Sequence, residues 1–439
     1  MAAIDARLEA GYERFVGAIA AAHDITNGAP FVRNAADREQ GESFVRGIVN
    51  HSLAASLGNT PEQPVMQLLP YPDTRLGYNN PDNLYYVARV SDTGSYTISG
   101  TRGTSVGLLV QALGPGLPGT GAAAGATKSF FAGNELELGP DGSYSLALST
   151  DPPPRGDWLP LRPGTDNMLV RFSFLDWERE EPGSITITRD GGPASNRVEV
   201  TPALAAAMLE ETARWIPLQA EFYRDQGNVL TALGPNTLVG PRRALGDAGT
   251  NVQQWNLTGN FDLRDHEALL VTLKDVSQAH YANFMVADPW LDIFEFVHHQ
   301  TSLNASQVRV DGDGYVRYVL CARDPGVPNW IDTSELSHGA IFGRYQDVEG
   351  ELGPEYAPTA SVVDLADLRR HLPGDTPSVG RHERAEQLAA RERLLAVRFR
   401  GADPQHPEIV RRLDAVETLL GHALPLHTIH DQDVARLGE

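Results

Sequence analysis

The chain of 439 residues contains a single cysteine, Cys321. One thiol excludes an intrachain disulfide and a thiolate metal cluster. Cys321 sits in an apolar, strand-like run, so a small buried hydrophobe is expected there, with a nucleophile as the rival reading. Lysine is nearly absent: only Lys128 and Lys274 occur, and arginine carries the rest of the positive charge. That bias reads as a GC-rich bacterial genome and not as function. A basic surplus is missing altogether. The formal charge of −21 argues against a nucleic-acid binder, which must displace counterions, and against docking on an anionic membrane. No apolar run approaches the length of a membrane helix. Asp5, Arg7, Glu9, Glu13 and Arg14 break up the first residues, unlike a signal peptide. A cytoplasmic, soluble protein is therefore expected. No glycine-rich segment has a Walker lysine or follows a strand as a dinucleotide fingerprint, and no serine sits in a Gly-x-Ser-x-Gly context.

What is present is an ordinary globular balance, 41% hydrophobic and 21% charged, in a length that suggests two or three domains. Residues 1–83 read as N-terminal helices and a loop. Ile4 to His23 repeats Leu8, Tyr12, Phe15 and Ile19 at helical spacing, and Ala35 to Leu57 follows with Phe44, Ile48 and Leu53 on one side. The loop 64–83 carries Asn79, Asn80, Asp82 and Asn83, whose side chains suit backbone or ligand hydrogen bonds. Residues 84–200 read as a first β unit and 253–353 as a second. Both are built of short β-branched or aromatic runs punctuated by Gly, Asp and Ser. Between them, 201–252 is a helical connector started by Thr201, bent or restarted at Pro217, and ending in a linker over 234–249. Glu135 to Leu138, Phe294 to His298 and Gln307 to Val310 are among the expected strands. After Pro354 the strand signal fades, and 354–439 reads as a C-terminal helical segment, with helices expected over Val363 to His371, His382 to Arg398 and Glu408 to Leu419. Within it, 383–398 has a charged face and packs through Leu388, Leu394, Leu395 and Val397. The fold class is mainly β with flanking helices, an α+β chain with two β-sandwich or jelly-roll-like units.

The two units echo one another. Asn134, Asp141-Gly142, Asp151-Pro152, Trp158 and Arg171 recur as Asn304, Asp313-Gly314, Asp324-Pro325, Trp330 and Arg344. The order is kept and corresponding intervals differ by at most two residues. An internal duplication is the physical reading.

The run Thr301-Ser302-Leu303-Asn304, Asp313-Gly314 and Asp324-Pro-Gly-Val-Pro-Asn-Trp-Ile-Asp-Thr333 resembles the signature of the family catalogued as domain of unknown function 1214. The resemblance covers about residues 253–348, with a diverged related unit upstream. Asn80-Pro81-Asp82 is similar to the opening of a partner domain often found before it. The resemblance implies a β-sandwich, jelly-roll-like fold and leaves activity undefined.

Candidate chemistry centres on the rigid, polar loop 323–333, which reads either as a structural corner or as the rim of a site. Asp332, His299, His298 and His280 are the candidate proton carriers. Arg323, Asn329, Trp330, Asn304, Tyr281 and Tyr85 are the candidate substrate-binding groups, with Trp330 stacking on a ring. A carboxylate serves as a general base near neutral pH only if burial or a like charge raises its pKa. His298 and His299, if on one strand, point to opposite faces and do not share a metal, and no ligand set completes them. His427 and His430 have metal-like company near the C-terminus, where solvated side chains are the plainer reading. No cofactor, metal, nucleic acid or membrane partner is expected. The leading expectation is a hydrolase or a lyase- or isomerase-type enzyme. It would act on a small cyclic, terpenoid, steroid-like or glycosidic substrate by metal-independent acid–base chemistry in a pocket of the second β unit. The alternatives are a non-catalytic module binding carbohydrate or an apolar ligand, favoured if Trp330 and Tyr85 are exposed, and a partner protein using its C-terminal helices. A homo-oligomer is compatible with all three.

Overall fold

The structure is a computed structural model that describes residues 2–56, 59–69, 77, 79–116, 125–192, 200–245 and 250–402. Among the described residues, four long helices, α1 (Ala2–Asn27), α2 (Ala35–Ser56), α3 (Pro202–Thr231) and α4 (Arg381–Ala402), flank eighteen strands. The first nine strands are β1 (Gln67–Leu69), β2 (Asn83–Arg89), β3 (Tyr96–Thr101), β4 (Gly107–Leu113), β5 (Thr127–Ala132), β6 (Ser143–Ser149), β7 (Asp157–Pro160), β8 (Asn167–Ser173) and β9 (Ser184–Arg189). The second nine are β10 (Leu238–Arg243), β11 (Gln254–Asp262), β12 (Glu267–Lys274), β13 (Ala279–Ala287), β14 (Ser302–Asn304), β15 (Tyr315–Cys321), β16 (Trp330–Asp332), β17 (His338–Val348) and β18 (Thr359–Asp364). The fold is mainly β with flanking helices, as expected from the sequence.

Each set of nine forms one five-stranded and one four-stranded sheet. The first set runs β1-β2-β8-β4-β5 and β7-β6-β3-β9. The second runs β10-β11-β17-β13-β14 and β16-β15-β12-β18, the same order with nine added to every number. The echoed landmarks fall at matching places. Gly142 and Gly314, after Asp141 and Asp313, both have positive φ (76° and 81°). Trp158 and Trp330 each donate an indole N–H to a backbone oxygen nine residues earlier, of Ser149 at 3.1 Å and Cys321 at 2.9 Å. In both sets the tryptophan-bearing strand pairs in parallel with its neighbour, against the antiparallel rule elsewhere.

In the second unit, alternate residues of the two sheets meet in one core. Leu269, Val271 and Leu273 of β12 face Phe284 and Val286 of β13, and the Phe284 and Tyr318 rings stack at 4.2 Å across the gap. The opposite face of β12 and β15 carries a smaller core of Ala268, Leu270, Val319, Cys321 and Trp330. Helices α1 to α3 pack together, and their apolar side chains join the core of the first unit and the Met285 and Phe342 side of the second. Gly227 lets α3 make this approach, since a Cβ there would lie 2.5 Å from the Phe31 ring and 2.6 Å from the Pro289 oxygen.

Several boundaries differ from the sequence reading. The expected connector contains β10, which joins the second unit, and β1 joins the first from before residue 84. Residues 359–364 form edge strand β18, where fading signal suggested helix: of its side chains only Val363 is buried, so the alternation that marks a half-buried strand is missing. Val363 to His371 is thus a strand end and a short 3-10 turn. Phe294 to His298 and Gln307 to Val310 are irregular and not strands. Glu135 to Leu138 is no strand either, since a 3-10 turn spans Gly133–Glu135. Pro217 does not restart α3, which runs through it as one helix from the Thr201 cap, whose Oγ1 accepts Leu204 N–H at 3.2 Å. The helix expected at 408–419 and the pair His427 and His430 lie outside the described residues.

The two units meet through the outer faces of their five-stranded sheets. On β8, Met168, Val170 and Phe172 point into the first core, so Arg171 and Ser173 face away from it, and Ser173 Oγ donates to Gln346 Oε1 of β17 at 3.2 Å. The centre of this seam is Asp82, 1% exposed. One carboxylate oxygen accepts from Trp177 Nε1 (2.7 Å) and Asn304 Nδ2 (2.8 Å). The other accepts from Tyr281 Oη (2.6 Å) and Asn283 Nδ2 (3.3 Å). Removing one partner of a buried charged network leaves the others desolvated and unmatched. Asp82→Ala is therefore expected to destabilise the fold by about 3–5 kcal/mol in urea unfolding. A loss below about 1 kcal/mol would show that the seam does not depend on this carboxylate.

Candidate functional site

The loop 323–333 is first a structural corner. Asn329 clamps the chain opposite it, accepting Arg309 N–H at 2.8 Å and donating to Arg309 O at 2.8 Å. Trp330 is 6% exposed, and the Arg384 guanidinium lies 5.1 Å over its ring. Asp324 accepts from Arg384 Nε at 3.0 Å, and the Arg323 side chain is exposed. The loop thus covers the outer face of β12 and β15, and neither Trp330 nor Asn329 is available to a substrate.

The other expected substrate-binding groups are corrected in the same way. Tyr281 and Asn304 are buried donors to Asp82, and Tyr281 also accepts Asn80 Nδ2 at 2.7 Å. Burial, and then the charge of Asp82, hold the Tyr281 hydroxyl well above its ordinary range, so it is not a proton donor near neutrality. Tyr85 is buried beneath the Arg171 guanidinium, 5.7 Å from its ring centre. With Trp330 and Tyr85 both inside, the exposed aromatic platform of a sugar-binding face is absent at these two positions.

The candidate proton carriers divide. His280 is exposed at the start of β13, 3.8 Å from the exposed Glu349. His298 is equally exposed, 3.2 Å from Glu295 and 3.8 Å from Glu392. Both are solvated surface histidines. His299 and Asp332, 33 residues apart in sequence, come together: His299 Nδ1 lies 2.8 Å from Asp332 Oδ2. The Asp332 side chain is 11% exposed and the imidazole 45% exposed. Two bonds to backbone groups place Asp332: its N–H donates to Gln300 O at 2.9 Å, and its Oδ1 accepts Ser334 N–H at 2.8 Å. The turn behind it is strained, with Ser334 and Glu335 at φ 50° and 65°. A carboxylate accepting from Nδ1–H leaves Nε2 as the free basic nitrogen, the arrangement of an oriented general base.

Beside this pair opens a cleft of 450 Å³ between α4, the loop and the segment 300–309. Gln300, next to His299, lines it, whereas His299 and Asp332 do not. Its apolar walls are Trp177, Leu303, Val308, Pro328 and Leu394, and its polar groups include Gln307, Arg309, Glu383, Gln387 and Arg391. The fourth helix makes one wall, and the way it docks was not anticipated. Its buried stripe is Arg384, Leu395, Arg391 and Arg398, with Leu388 half-buried, while Val397 is exposed. Arg384 reaches Gln300, Asp324 and Val327 O. Arg391 Nε donates to Phe296 O, and its other nitrogens to Ser302 O (3.2 Å) and Ser302 Oγ (2.8 Å). Arg398 donates to Pro81 O at 3.2 Å. Burial lowers the pKa of Arg391 and Arg398 to about 10. The signal was legible: arginines at 384, 391 and 398 recur every seven residues with Leu388 and Leu395 between them.

Among the described residues, no three His, Cys, Asp or Glu side chains converge as a metal's donor set would require. No described helix is long and apolar enough to cross a membrane.

No family model matches this sequence, and no curated protein matches it. Among solved structures, the chain is similar to an uncharacterised protein from Burkholderia cenocepacia with a TM-score of 0.75 and 23% identity, covering 82% of this chain and 99% of that one. That likeness shows the fold. The VPA0106 protein from Vibrio parahaemolyticus aligns at a TM-score of 0.41 and 12% identity, covering 72% of this chain and 99% of that one.

Cys321 is buried and its thiol donates to Arg323 O at 3.2 Å. Burial pushes its pKa up to about 12, so the thiolate is a trace species at pH 8. Labelling by a thiol-reactive disulfide at pH 8 is expected to be at least about a thousandfold slower in the folded protein than in denaturant. Comparable rates would restore the nucleophile reading. Because the folded thiol holds its proton while the unfolded one ionises from about pH 9, this group lowers stability as pH rises beyond that point.

Proposed function

We propose that this chain is an acid–base enzyme for a small organic molecule, in which His299 moves the proton and Asp332 orients it. The observation that carries the reading is the 2.8 Å contact between a half-exposed imidazole and a buried carboxylate, at the end of a strained turn beside a cleft of ligand size. The chemistry is metal-independent proton transfer of the hydrolase, lyase or isomerase kind. A cyclic, terpenoid or steroid-like substrate suits the apolar cleft walls better than a glycoside does. The protein works in the cytoplasm, and homo-oligomers are compatible with the reading.

A second reading is a non-catalytic module that binds an apolar ligand in the cleft. One observation favours it: neither His299 nor Asp332 lines the cleft wall. We further infer that the two units are copies of one jelly-roll-like sandwich, which their shared strand order supports. The second belongs with the family of domain of unknown function 1214, on the residues between 301 and 333 that carry its signature.

A thermal-shift screen with metabolites supplies the substrate, since a ligand at about a hundred times its Kd stabilises a fold by roughly 2.7 kcal/mol. Turnover of that molecule is then expected to fall about 10²-fold or more in both His299→Ala and Asp332→Asn. Asparagine would turn an amide donor towards Nδ1 and favour the wrong tautomer. Unchanged turnover in both variants would remove the pair from the chemistry.

A further inference from the structure

We infer that the cleft beneath α4 binds an apolar molecule bearing a carboxylate, with the carboxylate on Arg391. The inference begins with an imbalance of charge. Arg391 is buried and lines the cleft, yet its described partners are neutral: two backbone carbonyls, the Ser302 hydroxyl and the ring of Trp177 at 4.9 Å. No described carboxylate forms an ion pair with it, in contrast to Arg384, which holds Asp324 on the same helix face. Asp82 and Glu295 act on it only through longer-range electrostatics. Arginine carries five N–H donors, and three are occupied here, one on each nitrogen. Ser302 O and Oγ belong to one residue and take the facing pair of the two terminal nitrogens, so the donor left on each terminal nitrogen lies on a flank of the guanidinium, where it can give a carboxylate oxygen one charge-assisted bond.

The rest of the cleft fits a hydrocarbon body. Trp177, Leu303, Val308 and Leu394 supply apolar walls, and 450 Å³ lies within the usual range for small-molecule sites. Arg309, the other cation at the rim, is already paired with Asp375 at 2.8 Å. A neutral lipid or sterol would leave Arg391 with only the longer-range charges of Asp82 and Glu295, and an amine would bring like charge towards it although Glu383 also lines the cleft. Fatty, terpenoid and aromatic acids share the required chemistry. Taking this molecule as the substrate of His299 and Asp332 rests on the function proposed above; its binding does not.

The test is calorimetric titration of the full chain with decanoate, 1-decanol and decylamine. Decanoate is expected to bind about tenfold or more tightly than decanol, with decylamine weakest, from one charge-assisted pair. Leu394→Trp, which fills the cleft and leaves the arginine in place, is expected to abolish decanoate binding. Arg391→Met is expected to bring decanoate down to decanol's affinity. Equal affinities for decanoate and decanol, no decanoate binding, or binding that survives Leu394→Trp would each overturn the inference, whatever Arg391→Met does to folding. His299→Ala separates the two proposals. It should leave decanoate affinity unchanged, so preserved selectivity with unaffected turnover would sink the enzymatic reading while this one stands. Lost selectivity with turnover still dependent on His299 would sink this one alone.

Discussion

A buried carboxylate holds the two halves of this protein together. Asp82 sits in the loop that opens the first unit, yet three of its four donors come from the second: Tyr281, Asn283 and Asn304. Its fourth donor, Trp177, follows the last strand of the first five-stranded sheet. Four donors meet both of its oxygens, so this buried acceptor is fully hydrogen-bonded. The same requirement constrains everything around it, because each donor must be held at hydrogen-bond distance by its own strand or turn. The seam is thus specified by geometry, in contrast to an apolar interface that slides at small cost.

The fourth helix extends that constraint outward. Arg391 and Arg398 place their guanidinium groups over Trp177, the residue that donates to Asp82, and Arg398 also reaches Pro81 O, one residue before that carboxylate. Arginine suits this work where lysine would not. Its planar fork serves several carbonyl oxygens at once, lies flat on aromatic rings and is less strongly hydrated than an ammonium. The helix so fixed becomes a wall of the cleft and brings a buried cation to it. The His299–Asp332 pair lies just beyond, held by a different set of bonds on β16. Seam, helix and cleft form one connected arrangement, while the dyad shares only the Gln300 segment with it.

Much of the architecture was legible in the residues. Alternating apolar strands, Asp-Gly turns and the repeated tryptophan mark two like units because those features are local or nearly so. His299 and Asp332 were both legible as chemistry-bearing types, but their meeting depends on the bond from Asp332 N–H to Gln300 O, next to His299, a contact between distant segments that leaves no local trace. Trp330 and Tyr85 misled for a simple reason: a loop rich in charge and proline suggests a rim, and nothing in it reveals that Arg384 will close over the indole from 54 residues away. The stripe of α4 misled in the opposite direction. Charge implied solvent, although aromatic faces and spare carbonyls were waiting to receive it. Strand β18 escaped because an edge strand exposes most of its side chains and loses the alternation that identifies a buried one.

If the Asp82 seam makes both sandwiches and α4 a single cooperative body, heat must melt them together. Differential scanning calorimetry of the full chain is the most direct measurement. The account predicts one transition whose calorimetric and van't Hoff enthalpies agree. Two resolved transitions would contradict it, since they would mean that each sandwich holds its own structure and the polar seam between them adds little.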